Sequence, residues 1–544
     1  MAPGARNLLP LVTLDKIDPF LQSGMIVEPE FHDRTDDFDL SAMSPISRKQ
    51  FLALLTASAA FAAAGCTDYR DRGEIVPYTR KPEEVTPGIA NYYASTCTGC
   101  SQHCGILIKT REGRPIKIDG NPDHPINRGK ICATGQASIL QLYDPSRTRK
   151  PAYGSASGKS GELTWDGADR EIRKALDDAF RAGKEIALVT NPVYSPSTKR
   201  VLEIFSARYP TARTYSFELF NDGNRRRAWQ LCYGTDEYPS VGWEKTKIIV
   251  ALESDFLGPE GSSVENIRRY ANHRDAVNGK DVARLYCVEG AVSLTGANAD
   301  YRLRLRPDLQ LEFVLSLMHE LGIVRSAINL DPSARTLADA HPLETFVRRN
   351  GISRDAVANL VEDLIACRGA AIVYAGDALP TDVHLAVNYL NAVLGNNIVY
   401  ETEHEHRAEV SASRMEDLQD LVSRMNSGMV GVIIHAQTNP VFNFPRMLRY
   451  QEALQKVPMA VSLTQLEDET SQHCTYVLPV HTTFEAWGDF APRNGIVSFQ
   501  QPVISPLYAS RQAEATLLHW AGTESVFHEP MYHNFLREFW EKDV

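Results

Sequence analysis

Cys97, Cys100, Cys104 and Cys132 follow the spacing C-x2-C-x3-C-x27-C, while the other five of the nine cysteines stand singly. Thiolates are soft ligands, and a short loop carrying three of them, joined by one distant Cys, can place four at the corners of a [4Fe-4S] cluster. Glycines and prolines crowd the same stretch (Gly99, Gly105, Gly120, Gly129, Pro122, Pro125) and let the backbone wrap closely round such an object. Haem attachment needs CxxCH, but Ser101 follows Cys100. Structural zinc usually pairs two CxxC knuckles, and here the second half is a lone Cys132. Zinc, two disulfides and four idle thiols are the alternatives to a cluster that the residues leave open.

The order of parts around these cysteines resembles the amino-terminal cluster domain of molybdopterin oxidoreductases. Three close cysteines lead into a hairpin at Gly113, an Asn-Pro-x-His-Pro turn at 121–125, the fourth Cys, then Tyr-x-Pro-x-Arg at 143–147. Val477-Leu478-Pro479, followed by Glu485, Gly488, Asn494 and Gly495, resembles the family's Leu-Pro strand and its Glu-x-x-Gly turn. Segments 294–307, 438–445, 467–470 and 485–490 are similar to the molybdopterin-like iron-sulfur subunit of alternative complex III, a bacterial quinol-oxidising respiratory complex. The likeness covers roughly residues 45–520.

That resemblance implies one [4Fe-4S] cluster on Cys97, Cys100, Cys104 and Cys132 in a chain that keeps the molybdopterin-type fold while molybdopterin itself is absent. Two departures agree with a lost molybdenum site. The family's Lys or Arg two residues after the fourth Cys is Thr134 here, and the thiol nearest an expected metal-ligand loop, Cys232, reads better as a buried small residue. The implied role is an iron-sulfur scaffold and electron-transfer subunit without a catalytic site of its own. Its implied partners are a ferredoxin-like multi-cluster subunit, an integral membrane quinol-binding subunit and cytochrome c subunits. The alternative is a catalytic molybdenum or tungsten bis-pterin subunit acting, for example, on sulfur compounds.

A net charge of -11 and a pI near 5.8 argue against nucleic acid as a partner, because phosphate recognition needs a basic surface. Ser47-Arg48-Lys49-Gln50-Phe51-Leu52 resembles a twin-arginine signal, followed by a short apolar run and a lipobox-like Ala63-Ala64-Gly65-Cys66. Cys66 is therefore the expected lipidation site, and the expected location is the periplasmic face of the cytoplasmic membrane. Export after folding suits a protein that must acquire its metal first.

Positioning these residues requires a scaffold, and the pattern after residue 160 supplies one. Continuous apolar runs at 185–190, 247–252, 370–375, 431–435, 459–463 and 476–478 alternate with helical periods at 163–181, 196–209, 342–350, 354–367 and 381–394. Apolar strands bounded by helices predict an α/β fold with doubly wound parallel-sheet lobes. The expected organisation is an extension (1–45), signal (46–66), linker (67–90), cluster domain (91–155), two α/β lobes (156–330 and 331–520) and a terminal helix (521–544). The loops after four strands, at 190–192, 253–255, 375–377 and 437–440, would ring a former pterin crevice, although ordinary loop and helix-cap chemistry is the favoured account of them. Arg302, Arg304 and Arg306 read as the solvated face of an edge strand, and His404 and His406 as polar loop residues. Neither the family's carboxyl-terminal β-barrel nor a cysteine-rich ferredoxin module is expected within 544 residues whose last Cys is Cys474.

Overall fold

The computed structural model describes residues 85–86, 88–159, 161–274 and 282–542. The twin-arginine-like signal, the lipobox with Cys66, the extension and most of the linker lie outside the described residues. The chain divides after Ala90, and the unit Asn91–Val544 carries the cluster motif and both lobes.

Two parallel sheets carry the fold, each built from runs whose residues are apolar on both faces. The larger has the order Ala152–Tyr153, Tyr476–Pro479, Met459–Thr464, Val430–Ala436, Glu185–Thr190, Ala212–Ser216 and is parallel except at its two-residue first strand. The smaller runs Tyr301–Arg304, Arg284–Glu289, Ile248–Leu252, Ala371–Ala375, all parallel. Helices cover both faces, which is why strands such as Ile248–Leu252 are buried at every position. Helix Trp165–Arg181 illustrates the logic: Thr164 caps it by accepting from the Gly167 amide, and Ala168, Ile172, Leu176 and Ala179 form its buried stripe. Each fully buried Ile or Leu there contributes about 1.5–3 kcal/mol.

Expected and observed elements coincide within two residues for most of the helices and parallel strands named from the sequence. Three differences have physical reasons. The larger sheet takes strands from 152–216 and from 430–479, so a boundary at residue 330 does not separate the sheets. Segment 400–406, read as a polar loop, is the strand Tyr400–His406 in an antiparallel sheet of order Ile496–Gln500, Gly488–Arg493, Tyr400–His406, Tyr238–Val241. Glu401 pairs with Arg269 of helix Ser263–His273, His404 bonds the Asn494 carbonyl and His406 bonds Ser240 of the neighbouring strand, and cross-strand pairing overrides the polar composition. Edge strand Tyr301–Arg304 is present with Arg304 exposed, but Arg302 is half-buried and ion-paired, its guanidinium 2.6 Å from the buried carboxylate of Glu289.

A third, small sheet of order β1 (Ala90–Thr96), β2 (Gly105–Arg111) and β3 (Arg114–Gly120) precedes the lobes. β2 and β3 form the expected hairpin, turning through Glu112 and Gly113, both with positive φ (51° and 77°), as a two-residue turn matched to strand twist requires. Ile106, Ile108, Ile118 and Leu142 pack with Phe484, so the core beneath this sheet is completed by a residue far along the chain. Among the described residues no helix is long and apolar enough to cross a membrane.

Candidate metal centre

Cys97 follows the end of β1 and Cys104 precedes β2, with the Cys97 amide donating to the Cys104 carbonyl at 2.9 Å to close the loop that carries Cys100. Cys132 arrives as the N-cap of the short helix Ala133–Ala137, its sulfur accepting from the Gly135 amide at 3.3 Å. All four thiols line one cavity of about 320 Å3. Each of the eight described cysteines is free, so the disulfide alternative is not realised.

The Asn-Pro-x-His-Pro turn is what holds this loop in shape. Asn127, fully buried, accepts from the Gly105 amide at 3.0 Å and donates to the Gly105 carbonyl at 2.9 Å and the Lys130 carbonyl at 2.7 Å. His124 bonds Ser498 at 2.7 Å, and a Cβ on Gly105 would lie 2.5 Å from the His124 ring. Gly120 is equally constrained, because a Cβ there would meet the Gly129 backbone at 2.5 Å. Within the loop, just before Cys104, His103 has φ 44° and stacks on Phe490 with ring centroids 4.2 Å apart.

Burial pushes the Cys100 thiol up to about 11 and the Cys104 thiol up to about 12, against weaker opposing interactions, and raises Cys97 as well. Neighbouring sulfurs add to the rise. Arg493 acts in the opposite sense on Cys104, but that guanidinium is already committed to Glu265 and Ser262. Such thiols ionise only when a metal supplies the positive charge. Among the described residues no group of three or more His, Cys, Asp or Glu side chains is gathered as the ligand set of a single metal ion, while all four cysteines line the cavity. A single tetrahedral ion needs converging sulfurs, whereas a cluster brings its own iron corners and holds its thiolates further apart. Donor type, number and cradle therefore fit a [4Fe-4S] cluster.

The far wall of the cavity is made by Tyr194, Glu218, Asp222, Arg226, Tyr238, Asp377 and His406. Helix Gly223–Tyr233 begins with Arg225 and Arg226, an arrangement the helix dipole opposes and the surrounding carboxylates reverse. Arg226 lies 2.9 Å from Asp222, whose other oxygen accepts from the Tyr238 hydroxyl at 2.7 Å. Arg225 lies 3.0 Å from Glu260 and 2.8 Å from Asp377, donates to the Ala375 carbonyl at 2.7 Å, and sits over the Tyr374 ring. Sequence reasoning missed this wall; the available signal was the Arg225–Arg227 run in the first turns of a helix that follows Asp222. Of the four strand-end loops, 375–377 does reach the cavity through Asp377, while Asn191, Thr438 and Asn439 bond to one another's loops and to Glu469 and Thr470 as cap chemistry does. Cys232, expected to be buried, is exposed on its helix near Asn388. His404 bonds the Asn494 carbonyl, leaving only His406 facing the cavity.

Two motifs quoted separately from the sequence meet here. Arg147, from Tyr-x-Pro-x-Arg, makes a buried two-pronged bond to Glu485, from Glu-x-x-Gly, at 3.1 and 2.6 Å. Glu485 also accepts from the Thr482 and Leu507 amides, and these donors, Arg147 first, hold its carboxyl below the usual range in spite of burial.

Residues 90–144 match the family described as "Molybdopterin oxidoreductase Fe4S4 domain". The chain is 25% identical over 461 residues to the menaquinone reductase, molybdopterin-binding-like subunit, of Nitratidesulfovibrio vulgaris Hildenborough, covering 80% of this chain and 65% of that one. It is 22% identical over 334 residues to the thiosulfate reductase molybdopterin-containing subunit PhsA of Salmonella typhimurium LT2, covering 58% of this chain and 43% of that one. The chain thus spans less than two thirds of the length of either relative. Acetylene hydratase from Pelobacter acetylenicus shares the fold, with TM-score 0.66, 14% identity, and coverage of 81% of this chain and 71% of that one.

Proposed function

We propose that the chain belongs to the molybdopterin oxidoreductase family, to which its residues 90–144 and the relatives named above are similar, and that it is the iron-sulfur scaffold and electron-transfer subunit of a membrane-bound quinol-oxidising respiratory complex of the alternative complex III type, with its molybdenum site lost. The observation that carries this reading is the set of four free thiols lining one cavity, in a chain similar over 80% of its length to a menaquinone reductase subunit. Cys97, Cys100, Cys104 and Cys132 hold the cluster in this reading. A bound [4Fe-4S] cluster supplies reversible one-electron storage.

The chain's own residues supply position and surroundings. Asn127 and His124 fix the loop, and Phe484 with the isoleucines of β2 and β3 keeps water from its underside. The Arg147–Glu485 pair ties the segment after Cys132 to the lobe. The far wall argues against a pterin in this cavity. Among the described residues Glu218, Asp222 and Asp377 face it with Arg226 as the one lining guanidinium, itself paired, and a phosphate-bearing cofactor would meet three carboxyl groups. Thr134, where catalytic relatives carry a cation, adds none.

In this reading the chain works at the periplasmic face, exported folded and lipidated at Cys66, beside a ferredoxin-like multi-cluster subunit, a membrane quinol-binding subunit and cytochrome c subunits. Metal and pterin analysis with electron paramagnetic resonance, on protein purified anaerobically with its complex, tests it. About four irons per chain without molybdenum, tungsten or pterin is the expected result. Stoichiometric molybdenum or tungsten with pterin would make the chain a catalytic oxidoreductase, and no iron would leave it a scaffold.

A further inference from the structure

The far wall of the cavity carries more acid than base. Two guanidinium groups, Arg225 and Arg226, stand among four carboxyl groups, Glu218, Asp222, Glu260 and Asp377. Among the described residues of this wall no other cation completes the balance. Burial holds the His384 and His406 rings neutral, reinforced by Arg225 at His384, which is lowered to about 3, and by Arg493, Arg226 and Arg225 at His406; Arg493 itself is paired with Glu265. Tyr194, Tyr238, Tyr374 and Tyr400, packed around the group from neighbouring strands and loops, are kept as neutral phenols by burial. Like charges confined together at low dielectric retain protons.

The geometry points to the carboxyl group best placed to take up a proton. Arg226 is matched one to one by Asp222, whereas Arg225 is shared by Glu260 and Asp377. Glu260 is well supplied, accepting from the Ser254 hydroxyl at 2.9 Å and from the Asp255 and Asp377 amides, each at 2.8 Å. Asp377 is not. Its buried Oδ1 accepts no aligned hydrogen bond although it lies 2.8 Å from Arg225, and Asp377 lines the same cavity as the four thiols. Burial raises both carboxyl groups above the ordinary range.

We infer that the Glu260–Arg225–Asp377 cluster is the proton acceptor of the four-cysteine site: it takes a proton from water as an electron arrives on the group the thiols hold, and returns that proton as the electron leaves. The inference rests on the reading that those thiols hold a redox cluster. The balance is one electron from a one-electron donor, an iron-sulfur protein in the complex or dithionite in a titration, and one proton from hydronium. One carboxyl O–H bond forms on reduction and breaks on oxidation. The electron stays on the cluster side and the proton on the Asp377 side, the two being joined electrostatically across the cavity, which has room for several waters as a proton route.

The test is a redox titration of the full chain with its cluster, in its complex, at a series of pH values from about 5.5 to 9. The expected midpoint potential falls as pH rises through neutrality, approaching ~59 mV per tenfold change in proton activity, the one-electron value. Asp377→Asn and Glu260→Gln should each flatten that dependence. A reduced-minus-oxidised infrared difference spectrum of the unaltered protein should gain a protonated-carboxyl band, a readout that stands even if a variant fails to fold. A pH-independent potential in the unaltered protein, or a slope that survives in both variants, overturns the inference while leaving the cluster reading intact. A chain without iron overturns the cluster reading, and the inference falls with it.

Discussion

Among the described residues, four thiols stand on one wall of the cavity with no unpaired cation lining it, whereas on the facing wall each guanidinium already has its carboxylate. Backbone wraps the thiols, through a loop closed by Cys97 and Cys104 and a helix cap at Cys132. Side chains from distant elements build the other wall: a helix start, two strand-end loops and an antiparallel strand. The first wall is electrostatically incomplete until something binds, and the second is close to complete by itself. Removing a ligand-bearing residue should therefore abolish binding with little loss of fold. Altering the paired groups should change stability and proton affinity.

The sharpest break of that contrast comes from Cys132→Ser. Serine keeps the cap bond to the Gly135 amide and removes the thiolate. The expected outcome is loss of most bound iron and of the reduced-state paramagnetic signal, with an unchanged circular dichroism spectrum. Iron retained at the unaltered level would show that Cys132 is no ligand. The next effect concerns the strut between the walls. Arg147→Ala leaves Glu485 charged and buried without its main partner, and a cost of about 3–5 kcal/mol is expected in urea unfolding. The double replacement Arg147→Met with Glu485→Leu should cost clearly less, because no orphaned charge remains.

The two walls also differ in how far they could be read from the sequence. Cysteine spacing is a local signal, and so is the hairpin at Glu112–Gly113, whose turn needs positive φ. Buried parallel strands such as Glu185–Thr190 were legible because both faces are apolar. The Arg225–Glu260–Asp377 cluster was not legible, since its members come from a helix, a turn and a strand-end loop separated by up to 152 positions, and each looks like ordinary surface charge. Strand Tyr400–His406 was hidden for a related reason: an alternation of Glu and His reads as solvated loop until cross-strand neighbours are known. Arg147 and Glu485 were each recognisable by resemblance, but their pairing across 338 positions belongs to the fold alone.

A smaller effect sharpens the account of the backbone wall. Gly120→Ala puts a Cβ 2.5 Å from the Gly129 carbonyl and from the Lys130 carbonyl oxygen, and all these contacts are backbone, so no side chain can swing aside. Overpacking of this kind costs about 1–3 kcal/mol. Because Gly129 precedes Cys132 by three residues, the strain should also lower iron occupancy. Gly351→Ala, at a positive-φ helix end with open space around it, controls for loss of a glycine far from the cavity. Its stability cost should come without loss of iron.

The smallest expected effect separates the walls by pH. Glu260 holds its proton more tightly in the folded chain than a free glutamate does, first because it is buried and next because Asp377 lies beside it. Below the ordinary glutamate range both folded and unfolded chains are protonated there, and the group makes no pH-dependent contribution. As pH rises through that range the unfolded chain releases its proton while the folded chain keeps it, so this group lowers stability progressively until its raised folded value is passed. Glu260→Gln removes that loss and leaves Arg225 matched one to one with Asp377. Relative to the unaltered chain, the variant should thus gain about 1 kcal/mol between mildly acidic and mildly alkaline pH, read from urea midpoints across the range. Glu485→Gln should give the opposite trend: its carboxyl is held low by Arg147, its stabilisation is present above the ordinary range and fades as pH falls, so the variant's deficit should shrink in acid. Parallel trends in the two variants would mean that the acid-rich wall is paired in the same way as the strut, and would remove the basis for assigning it a retained proton.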